Sequence, residues 1–281
     1  MMLVSYKDAK LLHLRKQSDN KMLTQKQLKF VNELKQKKYR AEYNLFIAEG
    51  VKIVSELLAS KIVVKQVFAT TDFLKNSIIP KHIECIEVKP SELERLSAQP
   101  SPNEVLAVCE IPEYILTISE LQNKLTLVLD NIRDPGNLGT IIRVADWFGI
   151  DRIVCSDETA DAFNPKVVQA TMGSIARIKV HYTNLTTFFA EFKSDVLLNK
   201  NLPVYGALLD GENIYTTDLT AAGLIIIGNE SKGISDEMIP FITKKLNIPS
   251  FSYYKSSAGE AESLNAAIAT SIICSEFRRR G

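Results

Sequence analysis

Histidine, cysteine and tryptophan are scarce in this chain of 281 residues, which holds 3 His, 4 Cys and 1 Trp. Cys85, Cys109, Cys155 and Cys274 lie far apart with no C-x-x-C pair, so neither a zinc site nor a disulfide scaffold is written into them. His13, His82 and His181 are equally isolated, which leaves metal catalysis without support and a reducing cytoplasm as the expected compartment. Long apolar runs are missing too. Gly223-Leu-Ile-Ile-Ile-Gly228 is far too short to cross a bilayer. The opening Met1-Met-Leu-Val-Ser-Tyr-Lys7 lacks the charged-then-apolar pattern of a secretory signal. Neither a G-x-G-x-x-G fingerprint nor a G-K-[ST] phosphate loop occurs, which weakens dinucleotide-enzyme, kinase and generic nucleotide-enzyme readings.

A strong excess of one charge is also absent, because the formal net charge is +1. That balance hides an asymmetry. Residues 1–40 carry eleven Lys and Arg against three Asp and Glu, a net +8, which leaves −7 for the rest. A basic end on an acidic chain suits a polyanionic partner, although a solvated helix face explains the charge alone equally well. Hydrophobic residues at 46% and charged residues at 24% are the mix of an ordinary globular protein, and the length suits two domains.

Patterning along the chain fills in those domains. Residues 1–23 lack periodicity and read as a flexible extension. Thr24 is placed to cap a helix over 25–38, with Leu28, Val31 and Leu34 at three-residue spacing. Strands are expected at 45–48, 63–68, 83–88 and 105–109, and a helix at 51–58. Ser91-Glu-Leu-Glu94 has the spacing of a capping box that opens another helix. From there the strand–helix alternation sharpens. Strands are expected at 126–129, 152–155, 178–181, 204–208, 224–227 and 246–248, and helices at 138–148, 166–175, 185–192, 236–242 and 262–277. Alternation of this kind implies an α/β fold with a mostly parallel sheet covered by helices. The expected divisions are 1–23, 24–111, a linker at 112–120, and 121–281.

Ligands of open parallel sheets bind past the carboxyl ends of the strands. Three loops there are polar and Gly-rich. The first is Asp130-Asn-Ile-Arg-Asp-Pro-Gly-Asn-Leu-Gly-Thr-Ile-Ile-Arg143, with Asn137 near a helix start. The second, Ile227-Gly-Asn-Glu-Ser-Lys-Gly233, sets Glu230 just after a strand. The third runs from Asn247-Ile-Pro-Ser250 to Glu262-Ser-Leu-Asn265. Singly, each loop could be no more than a turn, Arg143 a surface residue and Ser263 a helix cap.

Together and in this order they resemble the SpoU/TrmH family of RNA ribose 2′-O-methyltransferases, part of the SPOUT superfamily. The matching stretches are Asn137-Leu-Gly-Thr-Ile-Ile-Arg143, Gly228-Asn-Glu230 with Gly233, and Ile248-Pro249 with Ser263-Leu-Asn265. Phe163-Asn-Pro-Lys-Val-Val168 and Met172-Gly-Ser174 resemble the family's middle region. Residues 24–111 are similar, less specifically, to the ribosomal-protein-like substrate RNA-binding domain that often precedes it. The resemblance implies a deep trefoil knot in the C-terminal domain, a homodimer formed through that domain, and ribosomal rather than transfer RNA as substrate. It implies an S-adenosylmethionine pocket walled by Ala207, Ile227, Gly228, Ile248 and Leu264. Its active-site cluster would be Asn137, Arg143, Glu230, Ser263 and Asn265. A guanidinium is effectively always protonated, so Arg143 suits a phosphate clamp and alkoxide stabiliser better than a general base. Lys35, Lys37, Lys38 and Arg40 would meet RNA phosphates. One departure stands out: the family's short step from Ile-Pro to Ser-Leu-Asn is here the 13 residues Ser250 to Glu262, whose aromatics could stack on an unpaired base. The alternative is a non-catalytic RNA-binding or ribosome-assembly protein of the same fold.

Overall fold

The computed structural model describes residues 23–101, 103–195, 202–251 and 263–280. The expected extension, apart from Leu23, and the long insert, apart from Ser250 and Phe251, lie outside the described residues. Two compact units divide between Pro112 and Glu113, with Phe163–Pro165 grouped with the first.

In the first unit the order is α1 (Gln25–Glu33), α2 (Lys37–Tyr43), β1 (Leu45–Glu49), α3 (Val51–Leu58), β2 (Val64–Ala69), α4 (Thr71–Asn76), β3 (Glu84–Glu87), α5 (Pro90–Leu96) and β4 (Val105–Glu110). The sheet order is β1-β4-β2-β3, with β4 antiparallel to both neighbours and β3 parallel to β2. Thr24 caps α1 as its position suggested, accepting from the Gln27 amide while Gln27 Oε1 accepts from the Thr24 amide.

The single helix expected over 25–38 is two. Leu34 is buried at the break, and the Arg40 guanidinium turns inward to donate to the Leu34 and Lys35 carbonyls at 3.0 and 2.9 Å. Those bonds satisfy carbonyls that a continuous helix would have used itself. The capping box is also displaced: Glu92, not Glu94, accepts from the Lys89 amide at 2.8 Å, and Pro90 opens α5. Helix α4 has no counterpart in the sequence reading. Its six residues bury only Phe73, too few for periodicity to register.

The second unit comprises β5 (Leu125–Leu129), α6 (Pro135–Trp147), β6 (Arg152–Cys155), α7 (Pro165–Thr171), β7 (Lys179–Tyr182), α8 (Leu185–Ser194), β8 (Val204–Asn213), β9 (Gly223–Ile227), β10 (Lys244–Asn247) and α9 (Ala266–Arg280). Its six strands are all parallel, in the order β10-β8-β9-β5-β6-β7. Successive residues of a strand face opposite sides. Val128, Val154, Val204 and Ile226 accordingly pack with Phe188, Phe189 and Phe192 of α8. Tyr205, next to Val204, meets Phe277 of α9 edge-on at 4.9 Å.

Two helices differ from expectation. Residues 236–242 form turns and a short 3-10 segment, Ile239–Phe241, because Pro240 supplies no amide to an α-helical ladder. Helix α7 stops at Thr171, where Met172 turns left-handed with φ 51°. No described helix is long and apolar enough to cross a membrane.

The end of α9 is tied down by charge. Glu276 takes bidentate contacts from Arg279 and a third from Arg280, which hold its carboxyl down to about 2. Arg280 also donates to the Ile214, Tyr215 and Thr217 carbonyls. A depressed folded-state value means a contribution that is present above the unfolded pKa and lost as pH falls toward 2. Glu276→Gln should therefore unfold at lower temperature than the wild type at pH 7. Thermal scans should show the difference shrinking below about pH 4.5, near the ordinary carboxylate value.

Candidate active site

The strand order reverses between β5 and β9. The chain leaves β5 toward β6 and β7 on one side, and leaves β9 toward β10 on the other. A crevice at the carboxyl ends of these two strands follows from that reversal. Asp130 and Asn131 follow β5 there, and Gly228, Asn229 and Glu230 follow β9.

Side chains cross this crevice in one chain of hydrogen bonds. Asn137 Nδ2 donates to Glu230 Oε1 at 2.6 Å, and Asn265 Nδ2 donates to Asn137 Oδ1 at 2.8 Å. Asn265 Oδ1 in turn accepts from the Ala267 and Ile268 amides and so caps α9. The direction of every bond is set from one end. An ionised carboxylate only accepts, so Asn137 must present its NH2 to Glu230 and its oxygen to Asn265. Asn265 then has only its oxygen left for the helix. Asn137→Asp would put a second carboxylate against Glu230. We expect that variant to unfold at lower temperature than the wild type at pH 7, because the two carboxylates repel and Glu230 loses its donor; thermal unfolding measures this.

Helices α6 and α9 run side by side in the same direction, fastened at both ends. Asn265 reaches Asn137 near their N-termini, while Arg278 donates to the Phe148 and Gly149 carbonyls past the end of α6. Asp134 caps α6 through the Asn137 amide at 2.7 Å. Both N-termini thus point their positive ends at the place where Glu230 sits.

The loop after β9 is shaped by backbone. Asn229 and Gly233 exchange amide–carbonyl bonds at 2.9 Å, and Gly233 turns the chain with φ +73°. Asn229 Oδ1 accepts from the Ser231 and Lys232 amides. Its Nδ2 donates to the Asn131 carbonyl at 2.8 Å and reaches Glu230 Oε2 at 3.3 Å. A Cβ on Gly228 would overlap the Gly233 carbonyl carbon and the Ile234 nitrogen, so only glycine allows this close approach.

Beside the loop lies a cavity of about 720 Å³, walled by Ala207, Ile227, Gly228, Ile248 and Leu264 and reached by Glu230 and Ser263. The five residues expected at a cofactor are thus gathered in one place. A break in strand pairing builds one wall. Gly206 pairs with Lys245 but the next pair is Glu212 with Leu246, so residues 207–211 leave the ladder. Ala207, Leu208, Leu209 and Asp210 line the cavity, and Asn247 Nδ2 donates to the Leu208 and Leu209 carbonyls at 3.4 and 2.8 Å.

Not every expected residue joins the cluster. Ser263 Oγ is 3.5 Å from the Glu230 carbonyl, at the limit of a hydrogen bond. Arg143 lies six residues beyond Asn137 on α6, about 9 Å along the axis. It is exposed and has no hydrogen bond or ion pair among the described residues. Arg40 is corrected outright: only 2% exposed, it braces the α1–α2 break and cannot meet a phosphate. Lys35 is half-buried, with Nζ on the Ser97 carbonyl at 2.7 Å, and burial lowers its pKa against the raising pull of Glu49. Lys37 and Lys38 stay exposed. Sequence reasoning passed over Asn229, which ties the two loops together, and Asp130, whose carboxylate receives the Ser235 amide at 2.7 Å. Both stand inside the quoted loops, but spacing alone assigns neither a partner.

Comparison with known proteins gives the same outline. The SpoU rRNA methylase family model matches residues 124–275, and the MRM3-like substrate binding domain model matches 25–107. The chain is 32% identical to the 23S rRNA (guanosine(2553)-2′-O)-methyltransferase RlmP of Bacillus subtilis, over 88% of this chain and 93% of that one. It is 28% identical to the mitochondrial rRNA methyltransferase 3 of Xenopus laevis, over 90% and 73%. The solved structure of an AdoMet-bound rRNA methyltransferase from Sinorhizobium meliloti superposes with a TM-score of 0.76 at 30% identity, covering 92% of this chain and 95% of that one. With the motif loops, the crevice and the matched model all falling on the second unit, the chain belongs to the SpoU rRNA methylase family.

Proposed function

We propose that this protein is an enzyme that transfers the methyl group of S-adenosylmethionine to a ribose 2′-hydroxyl of ribosomal RNA. The observation that carries this reading is the Asn265–Asn137–Glu230 chain, whose Glu230 end lines the 720 Å³ cavity. The cavity is of the size that encloses a small cofactor. Its walls fit S-adenosylmethionine: Ile227, Ile248 and Leu264 offer apolar surface to an adenine, the segment 207–210, out of register with β10, brings backbone polar groups to the wall, and Glu230 balances a sulfonium charge. When bound, the cofactor supplies an electrophilic methyl group.

The protein's own part is positioning. A 2′-hydroxyl is a poor nucleophile, and its oxygen gains negative charge as the bond forms. Arg143 clamps the neighbouring phosphate and stabilises that developing charge, aided by the two helix N-termini. Glu230 holds Asn137, and Ser263 and Asn265 hold the ribose and the loop before α9. Fixing the oxygen in line with the methyl carbon supplies much of the rate.

The same reading assigns residues 24–111 to RNA binding, 112–120 to a linker and 121–281 to catalysis. It carries the trefoil knot, which agrees with the chain passing from edge strand β10 back to α9 beside α6. It also carries a cytoplasmic homodimer through the catalytic domain. Trp147 on α6 and Ile268 on α9, 85% and 54% exposed, are large apolar side chains left for such a contact.

The test is methyl transfer from labelled S-adenosylmethionine to ribosomal RNA from cells lacking the gene, with nuclease digestion to locate the label and calorimetry for the cofactor. Label in a 2′-O-methylnucleoside is expected. RNA binding with neither cofactor binding nor label would establish the non-catalytic alternative instead.

A further inference from the structure

We propose that the outer face of α1 and α2 is a stacking platform for unpaired bases of the RNA substrate. This rests on the ribosomal RNA reading above and goes beyond it by naming the surface and the form of RNA. Three aromatic rings gather there. Phe30 and Tyr43 are 5.4 Å apart between centroids, and Tyr39 lies nearly parallel to Tyr43 at 6.1 Å, with 14° between their planes. Val31 and Leu34 of the same segment face the core of the unit and Phe30 packs partly against it, so the rings of the platform proper are Tyr39 and Tyr43, with Phe30 supporting Tyr43 from behind. Tyr43 is exposed, Tyr39 half-buried, and neither ring belongs to the core. The Glu33 carboxylate lies close to the Tyr43 hydroxyl.

The charge around the rings selects the partner. Lys26, Lys29, Lys37 and Lys38 are exposed on these two short helices, and Lys38 Nζ lies 5.6 Å from the centre of the Tyr39 ring. Glu33 and Glu42 are the carboxylates beside Tyr43; Glu33 pairs with Lys29 at 3.8 Å, and the four exposed lysines outnumber the two acids. Aromatic faces beside lysines are what a single strand needs: rings for bases, ammonium groups for the phosphates between them. A duplex offers only its phosphates to such a surface, because its bases are already stacked. Inward-turned Arg40 shows why the basic segment is not simply a solvated face. Its charge goes to the fold, whereas Lys37 and Lys38 on the same helix stay out beside the rings.

The probe is a labelled single-stranded RNA of mixed sequence, about 12 nucleotides long, and its duplex form, titrated with the full chain by fluorescence anisotropy. The Tyr39→Ala, Tyr43→Ala double variant should lose about tenfold in affinity for the single strand, with its salt dependence unchanged and duplex binding intact. Tyr39→Phe with Tyr43→Phe should bind like the wild type. Lys37→Ala with Lys38→Ala should instead flatten the salt slope, by about 1.4 for two phosphate contacts on a single strand. Unchanged affinity in the alanine variant, or equal loss on both RNA forms, would overturn the platform. Methyl transfer by the wild type, measured alongside, separates the two levels. Transfer with ring variants that bind normally sinks only the platform, and no transfer sinks the enzyme reading. Thermal unfolding of each variant, which reports on the first unit as cofactor binding does not, checks that the chain is folded.

Discussion

Arg143→Ala should abolish methyl transfer while leaving thermal stability and S-adenosylmethionine affinity unchanged. The side chain is exposed and bonded to nothing among the described residues, so the fold loses no contact with it. On the proposed mechanism, what goes is a fixed positive charge where an oxyanion develops. Removing one such group typically costs about 10²–10³ in kcat. Arg143→Lys should recover little, because an ammonium on a flexible stem does not reproduce a planar two-point grip on phosphate. Single-turnover transfer to ribosomal RNA, with calorimetry for the cofactor, measures both halves. Turnover near the wild-type rate in the alanine variant would remove Arg143 from the mechanism. A parallel fall in stability would mean that it braces the fold instead.

Gly228→Ala should damage the same site by a different route. The added carbon has backbone atoms of Gly233 and Ile234 in its way, and backbone cannot swing aside as the end of a long side chain can. Either the Asn229–Gly233 bridge opens or β9 shifts, and Glu230 moves in both cases. Overpacking of this kind costs about 1–3 kcal/mol. For a chain of this size the unfolding temperature should fall by about 2–4 °C per kcal/mol. Cofactor affinity should drop at least tenfold, since Gly228 and Ile227 wall the cavity. A variant with wild-type melting and wild-type calorimetry would show that the loop tolerates displacement and that Glu230 is not held by it.

Much of the second unit was legible because periodicity and turn residues agree there. The strand expected at 152–155 is β6 residue for residue, and 224–227 differs from β9 only by Gly223. Fully buried strands such as Leu125–Leu129 announce themselves as apolar runs bounded by polar loops. Misreadings fall where a local pattern competed with a distant contact. Leu28, Val31 and Leu34 kept helical spacing across 25–38, yet the Arg40 guanidinium broke that helix by taking two carbonyls. The apolar spacing of 236–242 hid Pro240.

The candidate site divides in the same manner. Asn137, Glu230 and Asn265 could be picked out from three loops because each follows a strand or opens a helix. That they form one chain of bonds could not, since Asn137 is 93 residues from Glu230 and 128 from Asn265. Asn229 went unnoticed for the same reason: its role is a bond to Asn131, 98 residues away.

By itself the sequence determined local things: which segments bury an apolar face, where helices start, which loops carry polar groups, and which family the three motifs match. Those follow from near neighbours in the chain, where spacing and propensity act. The tertiary structure alone decided which charges are available. Arg40 and Lys35 look like Lys37 and Lys38 in the sequence, but burial and carbonyl bonds take the first pair for the fold and leave the second to solvent. It also decided the direction of the Asn265–Asn137–Glu230 bonds, because a carboxylate that can only accept sets every amide upstream of it.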